Sequence, residues 1–176
     1  DFICAGVNVT QEMINFMVTH ARGAFIAAFC ECGRSEELEI PPQRTSGENT
    51  EANKTRMMVS VDAAAGGSGS SARDRSLTMN ILARKGAVSN ELRKPGHVIP
   101  IEAVAGGILE RQGHTEAGVE LVKLAGINPA VAADLEILDP DGNMASREYL
   151  FQIAEKFGLK IINIDQIISF VRDKTE

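Results

Sequence analysis

The chain has no tryptophan and one tyrosine among its 176 residues, so its core must come from aliphatic side chains and seven phenylalanines. No apolar run approaches the ~18 residues of a membrane helix. No signal-peptide pattern opens the sequence. Basic residues are not in excess: 18 Lys and Arg stand against 24 Asp and Glu, a net charge of −6. Gripping nucleic acid through its phosphates needs a basic face, so no nucleic-acid partner is expected, and no membrane either. Cys4, Cys30 and Cys32 are too few and unevenly placed for a disulfide framework. They read as reduced thiols of a cytoplasmic protein, and Cys30-Glu31-Cys32 reads as a strand end. The sequence also lacks a Gly-x-Ser-x-Gly elbow, a phosphate loop ending in Gly-Lys-Ser/Thr, and a histidine pair at helical zinc spacing.

What is present is an ordinary globular composition, 44% hydrophobic and 24% charged. The length suits one domain over residues 1–176 with a real core. Short apolar runs predict strands at Phe2–Gly6, Gly23–Cys30, Met57–Asp62, Ala130–Leu138 and Lys160–Ile164, with Val98–Ile101 strand or extended. Ile14, Met17, Val18 and Ala21 predict a helix capped by Thr10. Ser71 with Asp74 resembles a capping box opening a helix that runs to about Ala83. Further helices follow from Ala117–Ala125, Leu150–Phe157 and Ile164–Val171, and Arg34–Leu38 is a short one. Arg84–Gly96 reads as a connector, and Gln43–Lys54 as a polar surface loop placed to act as a lid. Interleaved strands and helices imply an α/β or α+β domain around a mixed sheet.

The chemistry concentrates in two Gly-flanked turns that hold two of the three histidines. One is Lys94-Pro-Gly-His-Val-Ile-Pro100, whose rigid Pro-Gly aims His97. The other is Glu110-Arg-Gln-Gly-His-Thr-Glu116. An arginine beside helix N-terminal N–H groups suits an anion such as a phosphate. Thr115 adds a donor, and His114 is a metal ligand or an acid/base. Glu116 reads as facing the helix dipole. His20, near a helix end, reads as a capping or cationic residue. Glu136 interrupts an apolar strand, where a carboxylate is costly unless paired or used, and Asp134 shares its face. The Gly-rich run Ala63–Ser71 is either a phosphate cradle or a flexible loop.

Taken in order, these segments resemble the 3,4-dihydroxy-2-butanone 4-phosphate synthase family of riboflavin biosynthesis. The resemblance rests on Arg93–Pro100, Ala105–Ala117, Leu124-Ala-Gly126, Leu135-Glu-Ile137 and Asp141–Ala145, with Val59–Asp62 and Ala72–Arg75 between. It implies an α+β sandwich, a mixed sheet with helices on both sides, and a homodimer with its sites near the interface. It implies a lyase, dependent on Mg²⁺ or Mn²⁺, that turns D-ribulose 5-phosphate into 3,4-dihydroxy-2-butanone 4-phosphate and formate. By the same resemblance His97 and Glu136 are catalytic. Asp1, Arg111, Gln112, Gly113, His114, Thr115 and Glu136 bind substrate, and His114 holds the metal. The family's acidic loop would lie just upstream, with Asp1 as its last aspartate and a glutamate within it as a second metal ligand. Ile26 stands where the family often carries cysteine, and Gly67–Ser71 where it carries Thr-Thr-Gly-x-Ser. These departures keep a second possibility open: a family member that binds sugar phosphate without turning it over.

Overall fold

The computed structural model describes residues 1–23, 25–44 and 46–175. Its strands are β1 (Phe2–Ala5), β2 (Ile26–Cys30), β3 (Val61–Ala63), β4 (Leu92–Glu102) and β5 (Val131–Leu135). Its helices are α1 (Gln11–Ala21), α2 (Arg34–Glu37), α3 (Ala72–Ala83), α4 (Gly107–Glu110), α5 (His114–Leu124), α6 (Arg147–Phe157) and α7 (Ile164–Thr175). The strands form one mixed sheet in the order β1-β5-β2-β4-β3. The pair β2–β4 is parallel and the other neighbours are antiparallel.

The central strand β2 is buried along its whole length. Its period of two feeds two cores. Ile26, Ala28 and Cys30 face one layer, with Ile14 and Met17 of α1 and Met79 and Leu82 of α3. Ala27 and Phe29 face the other, with Val119 and Val122 of α5. Helices therefore cover both faces, as the α+β expectation requires. Helix α7 packs outside α5, where Ile167 and Ile168 meet Ile108 and Ala117.

Hydroxyl caps start three helices. Thr10 Oγ1 accepts the Met13 N–H at 3.2 Å, Ser71 Oγ the Asp74 N–H at 3.0 Å, and Ser146 Oγ the Tyr149 N–H at 3.2 Å. Each satisfies an amide with no partner inside the helix. Asp74 does not complete a capping box. It turns back to accept the N–H groups of Gly67 and Gly69 at 3.0 and 3.2 Å. Arg93 Nη2 holds the Ala63 and Gly67 carbonyls at 3.0 and 2.7 Å. The Gly-rich run is thus a braced turn, with the Gly66, Gly67 and Gly69 amides already taken, which fits neither a free phosphate cradle nor a loose loop. At the other end of α3 the buried Arg34 donates from Nε to Leu82 O at 2.9 Å and from Nη2 to Arg84 O at 2.7 Å. His20 does not cap α1: its ring lies against Phe16 and Phe157 at centroid distances of 4.7 and 4.5 Å.

Several predicted strands change extent. The expected connector Arg84–Gly96 holds the first residues of β4, which runs from Leu92 through a cis Lys94–Pro95 bond to Glu102. Proline passes because the chain bulges there. Val61 pairs with Val98, but Asp62 pairs with Arg93, so Lys94–His97 is looped out of the ladder. The predicted strand Met57–Asp62 is reduced to isolated bridges at Met57 and Met58 and to the start of β3. The predicted strand to Leu138 ends at Leu135, and Ile137 and Leu138 make isolated bridges. Lys160–Ile164 forms no strand. Leu159, Ile161 and Ile162 have an apolar pattern but no ladder partner, and the segment links α6 to α7 over an apolar groove. Helix α5 begins at His114, before the expected Ala117.

Candidate active site

On the α5 face of the sheet a cavity of ≈ 610 Å³ opens between the N-terminus of α5, the strand ends of β2 and β5, and the loop before β3. Asp1, Arg111, Gln112, Gly113, His114, Thr115 and Glu136 all line it. The cavity thus gathers residues from both ends of the sequence. His97 is not among its lining residues. It lies on β4, in the bulge just before Val98, where the chain rejoins the ladder.

Helix α5 starts at Gly113 without a side-chain cap. Its first amides therefore stay open beside His114 and Thr115. Arg111 sits just ahead of them. Its Nη1 donates to Glu116 Oε2 at 2.5 Å, and Glu116 Oε1 accepts the Val104 N–H at 3.2 Å. Its Nη2 reaches Asn53 O at 3.3 Å and Thr55 Oγ1 at 3.5 Å. Arg111 therefore ties the helix start to the loop that forms the opposite wall. A Cβ on Gly113 would stand 2.5 Å from Arg111 Nη1 and 2.8 Å from Glu116 Oε2. A larger residue there would push the pair apart or aside. Glu116, in the first turn of α5 as the dipole reading expects, is also the buried partner of Arg111.

Glu136 is not inside a buried strand. It follows the last residue of β5 and is exposed. The costly carboxylate is Asp134, two residues earlier on the same face, at 3% exposure. Among the described residues its Oδ1 has no hydrogen-bond partner. Burial pushes its pKa up to about 7, and the nearby Glu136 charge adds to this. His114 lies at the cavity rim, its Nδ1 3.5 Å from Asp1 Oδ2.

The loop wall is formed by Glu51, Asn53, Thr55 and Met57. Glu51 Oε2 accepts the Thr55 and Asn53 N–H groups at 2.7 and 3.0 Å. Those bonds hold its carboxyl below the usual range. Sequence reasoning placed a polar loop here, and Thr45 within it lies outside the described residues. It did not single out these wall residues, because a polar loop carries no periodic signal. Asp134 had a signal: a carboxylate in the run Val-Ala-Ala-Asp-Leu.

The sequence matches the family model described as 3,4-dihydroxy-2-butanone 4-phosphate synthase over residues 1–170. It is 43% identical to the riboflavin biosynthesis protein RibBA of Chlorobium phaeovibrioides, covering 97% of this chain and 41% of the relative. It is 38% identical to RibBA of Bacillus cereus, covering 98% of this chain and 42% of the relative. The chain thus spans about two fifths of the length of these curated relatives. A crystal structure of 3,4-dihydroxy-2-butanone 4-phosphate synthase in complex with two magnesium ions superposes with a TM-score of 0.91 at 38% identity, over 97% of this chain and 83% of that one. The Candida albicans synthase superposes at 0.86 with 35% identity, over 96% of this chain and 82% of that one.

Proposed function

The chain belongs to the 3,4-dihydroxy-2-butanone 4-phosphate synthase family, and on that premise we propose that it converts D-ribulose 5-phosphate to 3,4-dihydroxy-2-butanone 4-phosphate and formate. One observation carries this reading: the turn 111–115 and Glu136 line a single cavity of ≈ 610 Å³. That volume suits a small sugar phosphate.

The roles follow from chemistry. The reaction enolises a ketose phosphate, loses water, shifts a carbon and takes up water again as formate leaves, so no water is lost overall and no external oxidant is consumed. The open amides at the start of α5, the Thr115 hydroxyl and the Arg111 guanidinium hold the phosphate and fix the pose. Gln112 and Gly113 bring the backbone close to it. Asp1 and Glu136 face the sugar, and Glu136, exposed at a strand end, is free to exchange protons with it. His97 is the second acid/base.

The donor set suits Mg²⁺ or Mn²⁺ in kind. Magnesium takes one or two protein ligands and keeps water or substrate oxygens for the rest. His114, with the Asp1 carboxylate beside it, matches that pattern. The buried, unpartnered Asp134 oxygen adds negative character to the same cavity. Among the described residues no cluster of three or more His, Cys, Asp or Glu could hold a metal by itself. A bound divalent cation polarises sugar oxygens and stabilises enediolate charge.

A homodimer is part of the proposal. His97 stands outside the lining of its own chain's cavity, and a second copy placed against this face is the means of bringing it there. We place the protein, as one domain, in the cytoplasm with its three free cysteines reduced. Among the described residues no helix is long and apolar enough to cross a membrane.

The test is formate release from ribulose 5-phosphate by the full gene product with Mg²⁺, followed by NMR. We expect formate at a rate that EDTA abolishes, and none from His114→Ala or Glu136→Ala. Folded protein that binds the sugar phosphate but yields no formate would establish the binding-only alternative instead.

A further inference from the structure

The bulge that lifts Lys94–His97 out of the ladder leaves two backbone amides without strand partners. Ser60, which precedes β3, and Asp62, within it, take them. Gly96 N–H donates to Ser60 Oγ at 3.1 Å, and His97 N–H donates to Asp62 Oδ1 at 2.9 Å. The other oxygen of the same carboxylate, Oδ2, lies 2.7 Å from His97 Nδ1. Asp62 therefore grips both the backbone and the ring of His97. A carboxylate only accepts, so the Nδ1 atom carries the proton in this pair. The lone pair is then left on Nε2, which has no partner among the described residues on a ring that is 43% exposed.

The surroundings fit that task. Asp62 is 5% exposed. Gly69, at φ +89°, lies over its carboxylate so closely that a Cβ there would stand 1.9 Å from Oδ2 and 2.6 Å from Oδ1. Any side chain at that position would displace the carboxylate. Asp74, by holding the Gly67 and Gly69 amides, keeps this cover in place. The Gly-rich run thus has a use unrelated to phosphate: its Gly69 packs directly on the aspartate's carboxylate.

We propose that Asp62 is a positioning residue for His97, fixing the ring in the Nδ1–H tautomer and presenting Nε2 as the base, with Gly69 shielding the carboxylate. This rests on the reading of His97 as an acid/base. Asp62 acts through the histidine and touches no substrate. Neutral histidine in water favours the Nε2–H tautomer, so the arrangement inverts the ordinary state. It also stabilises the imidazolium formed when Nε2 takes a proton.

Long-range ¹H–¹⁵N NMR of the full-length protein reads the tautomer directly and needs no variant. The proposal expects the His97 Nδ1 signal in the protonated range and Nε2 in the lone-pair range at pH above the imidazole titration. In Asp62→Asn the ring is expected to revert toward Nε2–H, with kcat falling about 10²–10⁴-fold and KM nearly unchanged. Asp62→Glu is expected to recover part of both signals. An Nε2–H ring in the parent protein overturns the proposal, as does an Asp62→Asn protein with unchanged tautomer or unchanged kcat. His97→Ala separates the two readings. If it is inactive while Asp62→Asn is not, the positioning role fails and His97 stands. If it retains full activity, the role of His97 fails as well.

Discussion

Arg111 and Glu116 meet behind the first turn of α5, Nη1 to Oε2 at 2.5 Å, with Glu116 at 1% exposure. The contact sets where the guanidinium points. It also joins the helix to the loop wall through Asn53 and Thr55. Glu116→Ala leaves Arg111 half-buried without its counter-charge and the Val104 amide without its acceptor. A loss of about 3 kcal/mol is expected in urea unfolding. A weaker grip on inorganic phosphate should accompany it in calorimetry. Glu116→Gln, which keeps an acceptor for Val104, should lose less stability but a similar share of phosphate affinity.

Asp134 gives the protein a pH dependence with a definite sign. Its folded pKa is about 7 against an ordinary 3.8. Between those values the folded state holds a proton that the unfolded chain has released. Stability therefore falls as pH rises through that window, by at most about 4 kcal/mol from this group. Asp134→Asn should remove that slope. Measured in EDTA, it should melt higher than the parent at pH 8 and no higher at pH 4.

The three thiols should separate by reactivity. Cys30 is buried and its pKa is pushed up to about 12 by burial, while burial takes Cys4 to about 11. Cys32 is exposed. Thiolate is the reactive form, so one fast equivalent with a disulfide reagent at pH 8 is expected, lost in Cys32→Ser. Unfolding in urea should release the other two.

Arg34 tests the closure of α3. Its side chain is 4% exposed and serves the Leu82 and Arg84 carbonyls, with Glu37 balancing its charge at 2.6 Å. Arg34→Ala removes the side-chain donor to Leu82 O, leaves Arg84 O with only the Ala87 N–H, and opens a cavity. About 2–4 kcal/mol is expected from thermal or urea unfolding. Arg34→Lys should recover only part, because an ammonium lacks the planar fork.

The dimer has its own test. Chains carrying His97→Ala should complement chains carrying His114→Ala if each cavity takes its histidine from the other copy. Mixed after co-refolding, the two inactive proteins should regain about a quarter of parental turnover, from the statistics of one intact site per mixed dimer. No recovery would place His97 with the cavity of its own chain.

Much of this molecule was legible in one dimension because its signals are local. Thr10 and Ser71 start helices by bonding amides three residues on. The Arg-Gln-Gly-His-Thr turn declares itself because its residues are neighbours in the chain. What stayed hidden depends on contacts distant in sequence. A proline-containing stretch reads as a connector, yet it belongs to β4, because β4 bulges against β3 there and Pro95 needs no ladder bond. The run Lys160–Ile164 reads as a strand, yet it pairs with no strand and links α6 to α7. Glu136 and Asp134 look alike in sequence. Where β5 ends decides which is exposed and which is buried.

Residue type and spacing alone gave the Arg-Gln-Gly-His-Thr turn, the helix caps at Thr10 and Ser71, an apolar strand ending at Cys30 and the likeness to a sugar-phosphate lyase family. The tertiary structure alone decided the partners: Glu116 for Arg111, Asp62 for His97, Gly69 over Asp62. Burial, charge pairing and close backbone approach act between residues that only folding brings together.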